Sequence, residues 1–221
     1  MATKKTQVQI ARPVRKTMIV EIEGITPLIH ERFSDKSKKQ MADKHAQKAK
    51  AGRPKRDPEQ DFRDSLIVFK RDKKGRPTKY GVKAQWLKLA MAFVAKEDKE
   101  GTRVYRNVQV GKTLFPDELL PLVIKNGDPH MRIGEDGNPG DTVRNANGSA
   151  DIRYRGEFSP GWRVKVPITF NSNRISEEQI LAWLDEAGTA SGIGGWRPQK
   201  GGQCGMFRIV EGNGGKHRGK K

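Results

Sequence analysis

Four histidines, one cysteine and a glycine-rich run are the parts of this chain whose residue types could do chemistry. His30 closes the segment Gly24-Ile25-Thr26-Pro27-Leu28-Ile29-His30, which places it at a strand end, a natural rim position. From a rim, an imidazole could deprotonate a ribose 2′-hydroxyl in metal-free RNA cleavage. A hydrogen-bonding or phosphate-contacting role asks less of it, because no acid partner accompanies it. His45 lies in a basic block and His217 in the tail, and no pair among the four histidines, His130 included, has helical metal-ligand spacing. A single cysteine, Cys204, excludes a disulfide framework and every cysteine-based zinc pattern. Glu135 and Asp136 adjoin in a glycine-rich turn, where exposure is the default. These residues predict no cofactor and no metal, with His30 as the one candidate base.

The segment from Gly192 to Gly205 is more informative. It holds Gly192, Gly194, Gly195, Gly201, Gly202 and Gly205, with Trp196, Arg197 and Lys200 among them. Glycine lets backbone amides approach a ligand closely and adopt positive φ. Successive amides can then form a concavity for an anion. Arg197 and Lys200 would add formal charge, and Trp196 a plane on which a base can stack. The plain alternative is a loop that folds Trp196 into the core. Two nucleotide motifs fail on spacing. Gly111-Lys112-Thr113 has Arg106 where a phosphate-binding loop needs its first glycine. Gly192-Ile193-Gly194 has Arg197 where a dinucleotide fingerprint needs its third glycine, and it follows a helix instead of a strand.

Charge decides which partners such a loop would meet. Of 221 residues, 44 are Lys or Arg and 26 are Asp or Glu, a formal charge of +18. Such a field favours polyanions, nucleic acid before an acidic membrane surface. Hydrophobic residues make up 34% of the chain, enough for one core with much of the chain outside it. The length suits one domain with a sizeable insertion. No stretch approaches the roughly 18 apolar residues of a membrane span, and the basic N-terminus lacks the apolar run of a signal peptide. The expectation is a soluble protein of a reducing compartment.

The elements that must position these groups follow from periodicity. Met18, Val20 and Ile22 alternate with Thr17, Ile19, Glu21 and Glu23, which predicts a strand with one clearly apolar face. Residues 34–64 carry nine basic side chains between Lys36 and Arg56 against Asp43, with few apolar residues. That block reads as a loop, or as a helix that forms on an anion. A short buried strand at Leu66–Lys70 and a turn at Lys73–Pro77 follow. Leu87, Ala90, Met91 and Val94 form one stripe of a helix over Val82–Lys96. Short strands are expected at 103–110, 119–124, 130–133, 151–158 and 162–170, the last with Pro167 at an edge or a bulge. Ser176-Glu177-Glu178-Gln179 is a capping box for a helix that Gly188 should stop. A last strand runs from Met206 to Val210. Trp86, Trp162 and Trp183 suit core positions, while Phe33 and Tyr80 border basic segments and could stack on bases. The domain plan is a basic arm at 1–16, one α+β domain at 17–211 and a disordered basic tail at 212–221.

Strand, helix, strands, capped helix, glycine loop and closing strand make a split βαβ pattern, the ferredoxin-like or RNA-recognition-motif plan. The Thr26-Pro27-Leu28 strand end and the run from Gly192 into Met206-Phe207-Arg208-Ile209-Val210 resemble the corresponding motifs of the RAMP superfamily, RNA-binding proteins of CRISPR effector complexes. Tyr80-Gly81-Val82-Lys83-Ala84 is similar to the entry to the first helix of that superfamily's backbone subunits, with Lys83 where proline is usual. The chain also resembles small phage and prophage proteins with the same strand–helix order. The resemblance implies a modified ferredoxin-like palm that binds single-stranded RNA or DNA, RNA slightly preferred, and polymerises along it. Such a palm works with other subunits of a ribonucleoprotein in the cytoplasm of a prokaryotic or phage-infected cell. It makes 34–64 an inserted thumb or finger, and carries contacts over to Arg32, Lys36, Lys38 and Lys39, with Lys83 beside them, as well as to the glycine loop. Rival readings are a phage single-strand annealing protein, an endoribonuclease using His30, and a structural or ribosome-associated basic protein.

Overall fold

The computed structural model describes residues 12, 14–32, 38–39, 41–43, 46, 56–95, 117–125, 127–134, 136–144 and 148–210. The arm before Arg12, Phe33, Lys36, the strand expected at 103–110 and the tail lie outside these residues.

Alternation of apolar and polar residues builds the main sheet. Strand β1 (Arg15–Gly24) buries Val20 and Ile22, and β10 (Arg163–Asn171) buries Val164, Val166, Ile168 and Phe170. They pair antiparallel from Arg15↔Asn171 to Glu23↔Arg163. On their outer flanks lie β11 (Phe207–Ile209) against β1, and β5 (Leu119–Val123) against β10. Beyond β5 come β4 (Pro77–Lys83) and β3 (Val68–Arg71), giving a six-stranded sheet in the order β11-β1-β10-β5-β4-β3, with every pairing antiparallel. Helices α2 (Ala84–Val94) and α3 (Glu177–Ala190) pack on each other and share the core that the even-numbered residues of β1 and β10 enter. The path from β1 through α2 to β5 skips β10, and the path from β10 through α3 to β11 skips β1. The chain is thus a mixed α+β fold on an antiparallel sheet.

Smaller sheets adjoin the main one. Strand β2 (Leu28–Ile29) pairs with β9 (Gly156–Phe158), which also pairs with β6 (His130–Met131). A separate hairpin joins β7 (Asp141–Arg144) to β8 (Ala150–Arg153).

Several expectations need correction. The basic block does not stay irregular to residue 64, because helix α1 spans Pro58–Ser65. Asp57 accepts from the Gln60 N–H, proline sits in the first turn, and Glu59 and Asp61 complement the helix dipole there. Helix α2 begins two residues late, since Val82 and Lys83 pair with β5. The run expected at 151–158 divides into β8 and β9, with Arg155 buried between them. Pro167 lies in an interior strand, not an edge strand, but among the described residues no strand pairs with it on the side away from β1. Strand β5 reaches only Arg163 and Val164, and the Gly24 N–H to Trp162 carbonyl bond (2.7 Å) sets the alternation that turns the 167 nitrogen away from β1.

Gly188 is not a stop either. Helix α3 continues to Ala190 with its capping box formed by Ser176 and Gln179, and Gly188 is buried in its last turn. A Cβ at 188 would stand 2.1 Å from the Phe207 carbonyl oxygen, so glycine is there to let the helix approach β11. Alanine would gain about 1 kcal/mol in helix propensity. Overpacking against backbone costs about 1–3 kcal/mol or more, so the clash should win. Gly188→Ala is therefore expected to lower stability in urea denaturation. An unchanged or higher midpoint would show that α3 and β11 are not held at this spacing.

Candidate nucleic-acid interface

The strand end and the glycine loop, far apart in sequence, lie against each other. The Gly205 N–H donates to the Pro27 carbonyl (2.7 Å) and the Gly195 N–H to the Ile29 carbonyl (3.0 Å). The Met206 N–H donates to Thr26 Oγ1 (2.9 Å), and Trp162 Nε1 to the Thr26 carbonyl (2.9 Å). Close approach makes glycine obligatory here. A Cβ at Gly194, which has φ +78°, would lie 2.5 Å from the Ile29 oxygen, and one at Gly205 1.7 Å from the Ile193 oxygen.

Several amides expected to meet phosphate donate within the chain instead. The Gly192 N–H goes to Ala187, Gly201 to Pro198 and Gly202 to Arg197. Arg197 is half-buried and turns inward, donating from Nη1 to the Gly194 carbonyl (3.0 Å) and from Nε to Gln199 (3.0 Å). What the loop offers to solvent is its lip: Trp196, 37% exposed and held at φ +52°, with Lys200 and Gly201. Trp196 is thus outside the core, whereas Cys204 is buried, which pushes its thiol pKa up.

His30 does not stand at a rim. It is fully buried, its ring 4.4 Å from that of Phe158 and 6.0 Å from that of Trp86. Its Nδ1 accepts from the Ile67 N–H (3.1 Å), so the proton of the neutral ring sits on Nε2, which has no hydrogen-bond partner among the described residues. Burial, and secondarily the charge of Lys83, lowers its pKa to about 3. A base with no route to solvent cannot reach a ribose hydroxyl, so the rim reading fails on burial.

The other expected contacts scatter. Lys83 is half-buried where β4 meets α2. Arg32 is half-buried, its N–H donating to the Ser65 carbonyl (3.1 Å). Lys38 and Lys39 have helical backbone and are exposed. Tyr80 is half-buried edge-on to Phe158, a core contact.

Residues that spacing could not reveal form a charged knot under the loop. Arg132 donates to Asp141 (2.6 Å) and to Glu157, and Arg155 donates to Asp141 (3.0 Å) and lies 3.7 Å from Glu31. A Cβ at Gly195 would come within 3.0 Å of Arg155 Nη1. A buried charge is tolerable only when it finds partners, and here buried Arg155 and half-buried Arg132 each meet carboxylates. Among the described residues no group of His, Cys, Asp and Glu could hold a metal ion, and no helix is long and apolar enough to cross a membrane.

The open face of the sheet is also internally paired. Arg163 and Arg208 bond Glu23 and hold its carboxyl below the usual range, and Thr17 bonds Thr169. The aromatics of β1, β5, β10 and β11, Phe170 and Phe207, are buried, so those strands offer no base-stacking platform. Basic side chains without such partners collect on the β3–β4 hairpin; the strand expected to be buried at Leu66–Lys70 begins instead at Val68 and leaves Phe69 and Lys70 exposed, because β3 is the last strand of the sheet.

No protein-family model matches the chain, and no curated protein matches it.

The burial of His30 has a measurable consequence. Its ordinary pKa is 6.5 and the folded value is about 3, so the unfolded chain binds the extra proton between these values. The contribution is complete above pH 6.5 and is lost as pH falls toward 3. By pH 5 about 2 kcal/mol of it has been lost. His30→Asn, which keeps an acceptor for the Ile67 N–H, should lose less stability than wild type between pH 7 and pH 5 in urea titrations. Equal losses would place His30 in contact with solvent.

Proposed function

We propose that the protein binds single-stranded nucleic acid, RNA ahead of DNA, through cationic side chains at its surface, and that it assembles along the strand as a RAMP-type backbone subunit. The observation that carries this reading is the division of charge. Acids on the described sheet face and in the buried knot pair with arginines, while Trp196 and Lys200 stand exposed at the lip of the loop. The formal charge of +18 supports the reading, because so positive a chain attracts polyanions.

The ferredoxin-like part of the reading draws support from the strand order β11-β1-β10-β5 with its two interleaved crossovers. The superfamily resemblance draws support from the contact between its two motifs, the strand end at Pro27–Ile29 and the glycine loop. Oligomerisation and the preference for RNA rest on that resemblance. The endoribonuclease reading loses its base with the burial of His30.

Phosphate contacts release counterions, so log K should fall linearly with log salt, by about 0.7 per contact on a single strand. Titration of a labelled unstructured 30-nucleotide RNA, and of the matching DNA, over 50–300 mM salt should give a slope of about −3 or steeper. A flat dependence would contradict the proposal.

A further inference from the structure

The β3–β4 hairpin concentrates positive charge more densely than any other described segment. Between Val68 and Tyr80 stand Lys70, Arg71, Lys73, Lys74, Arg76 and Lys79 against one acid, Asp72. All six are exposed. Asp72 is committed to the turn. Its Oδ1 accepts from the N–H groups of Lys74 (2.9 Å) and Arg76 (2.8 Å), and its Oδ2 from Arg76 Nε (3.0 Å). Gly75, at φ +79°, completes the reversal, and Arg71 donates to its carbonyl (2.8 Å). No carboxylate of the described residues pairs with Lys70, Lys73, Lys74 or Lys79.

One or two lysines would suffice to guard an edge strand against unwanted pairing. This hairpin has more than that need requires, and it has an aromatic. Phe69 is 41% exposed and sits in an irregularity where Phe69 and Lys70 together face Lys79 across the ladder. Such bulges re-aim side chains. The turn hydrogen bonds hold the hairpin's shape before any ligand arrives, which limits the ordering cost of binding.

We infer that the β3–β4 hairpin is a nucleic-acid finger: Lys70, Lys73, Lys74 and Lys79 contact consecutive phosphates of a single strand, and Phe69 stacks on an unpaired base. This rests on the nucleic-acid reading above and names the site that sequence spacing did not single out. The stacking plane is sequence-tolerant, since every base has a π-face. The phosphate contacts carry no base information.

The test compares full-length wild type with Lys70→Gln/Lys73→Gln/Lys74→Gln/Lys79→Gln on labelled 30-nucleotide poly(U) and poly(dT) over a salt series. The salt slope should become shallower by about 2–3, while the four Lys→Arg changes leave it unaltered. Should the quadruple variant lose its folded circular dichroism, Lys73→Gln/Lys74→Gln, confined to the turn, should still reduce the slope by about 1.4. Phe69→Ala should weaken binding about tenfold on both strands with the slope retained. Wild type binding with a steep slope that the glutamine variants leave intact would overturn the finger and spare the nucleic-acid reading. Wild type that binds neither strand would overturn both.

Discussion

The close approach of the glycine loop to the end of β1 and β2 is the constraint on which the rest of the molecule depends. Two amide–carbonyl bonds, Gly205 to Pro27 and Gly195 to Ile29, close it. Side chains at Gly194 or Gly205 would occupy the space of carbonyl oxygens. Once the loop is seated, its two flanks are placed. The last turn of α3 lies against β11, where Gly188 approaches Phe207, and β11 is laid beside β1. The same junction seats Trp162, which fills the space a Cβ at Gly24 would need and bonds Thr26. A fully buried aromatic of this kind contributes about 1.5–3 kcal/mol, so the loop is a structural joint before it is anything else.

Charge is distributed around that joint in a consistent way. Arginines and carboxylates take the partly buried positions, because planar guanidinium groups can satisfy several acceptors at once. Arg132, Arg155 and Arg163 each meet carboxylates in this manner. Lysines are left outward, on the β3–β4 hairpin and at Lys39, Lys165 and Lys200. A compact strongly hydrated ammonium on a long stem suits an exposed, phosphate-facing position. The proposed anion-binding surface rests on this contrast between buried or half-buried arginines paired with carboxylates and the exposed lysines of the hairpin, and not on the loop amides, several of which are bonded within the chain.

Much of the fold was legible in the residues for local reasons. Alternation marked β1 and β10, the Ser176–Gln179 box marked the start of α3, and a single apolar stripe marked α2. What escaped was set by tertiary contact or masked by composition. Helix α1 carries its signals in Asp57-Pro58-Glu59-Gln60, but the basic run before it hides them. Gly188 reads as a stop unless Phe207 is known to lie across from it. His30 reads as a rim residue because nothing local announces that Phe158 and Trp86 will cover it. The Arg132, Asp141, Arg155 and Glu157 knot joins strands and loops with no common spacing. The strand end and the glycine loop stood out in the sequence, and the structure brings them into contact, whereas the hairpin lay unremarked because its lysines look like ordinary turn residues.

The most direct test of the account is to map where RNA touches the chain. Photo-crosslinking to a single strand carrying 4-thiouridine, followed by peptide mass spectrometry, should place adducts in 68–80 and at Trp196, with His30 and the Arg132–Asp141 knot free of them. Adducts confined to other segments, or adducts on His30, would contradict the division between an internally paired joint and an outward cationic surface.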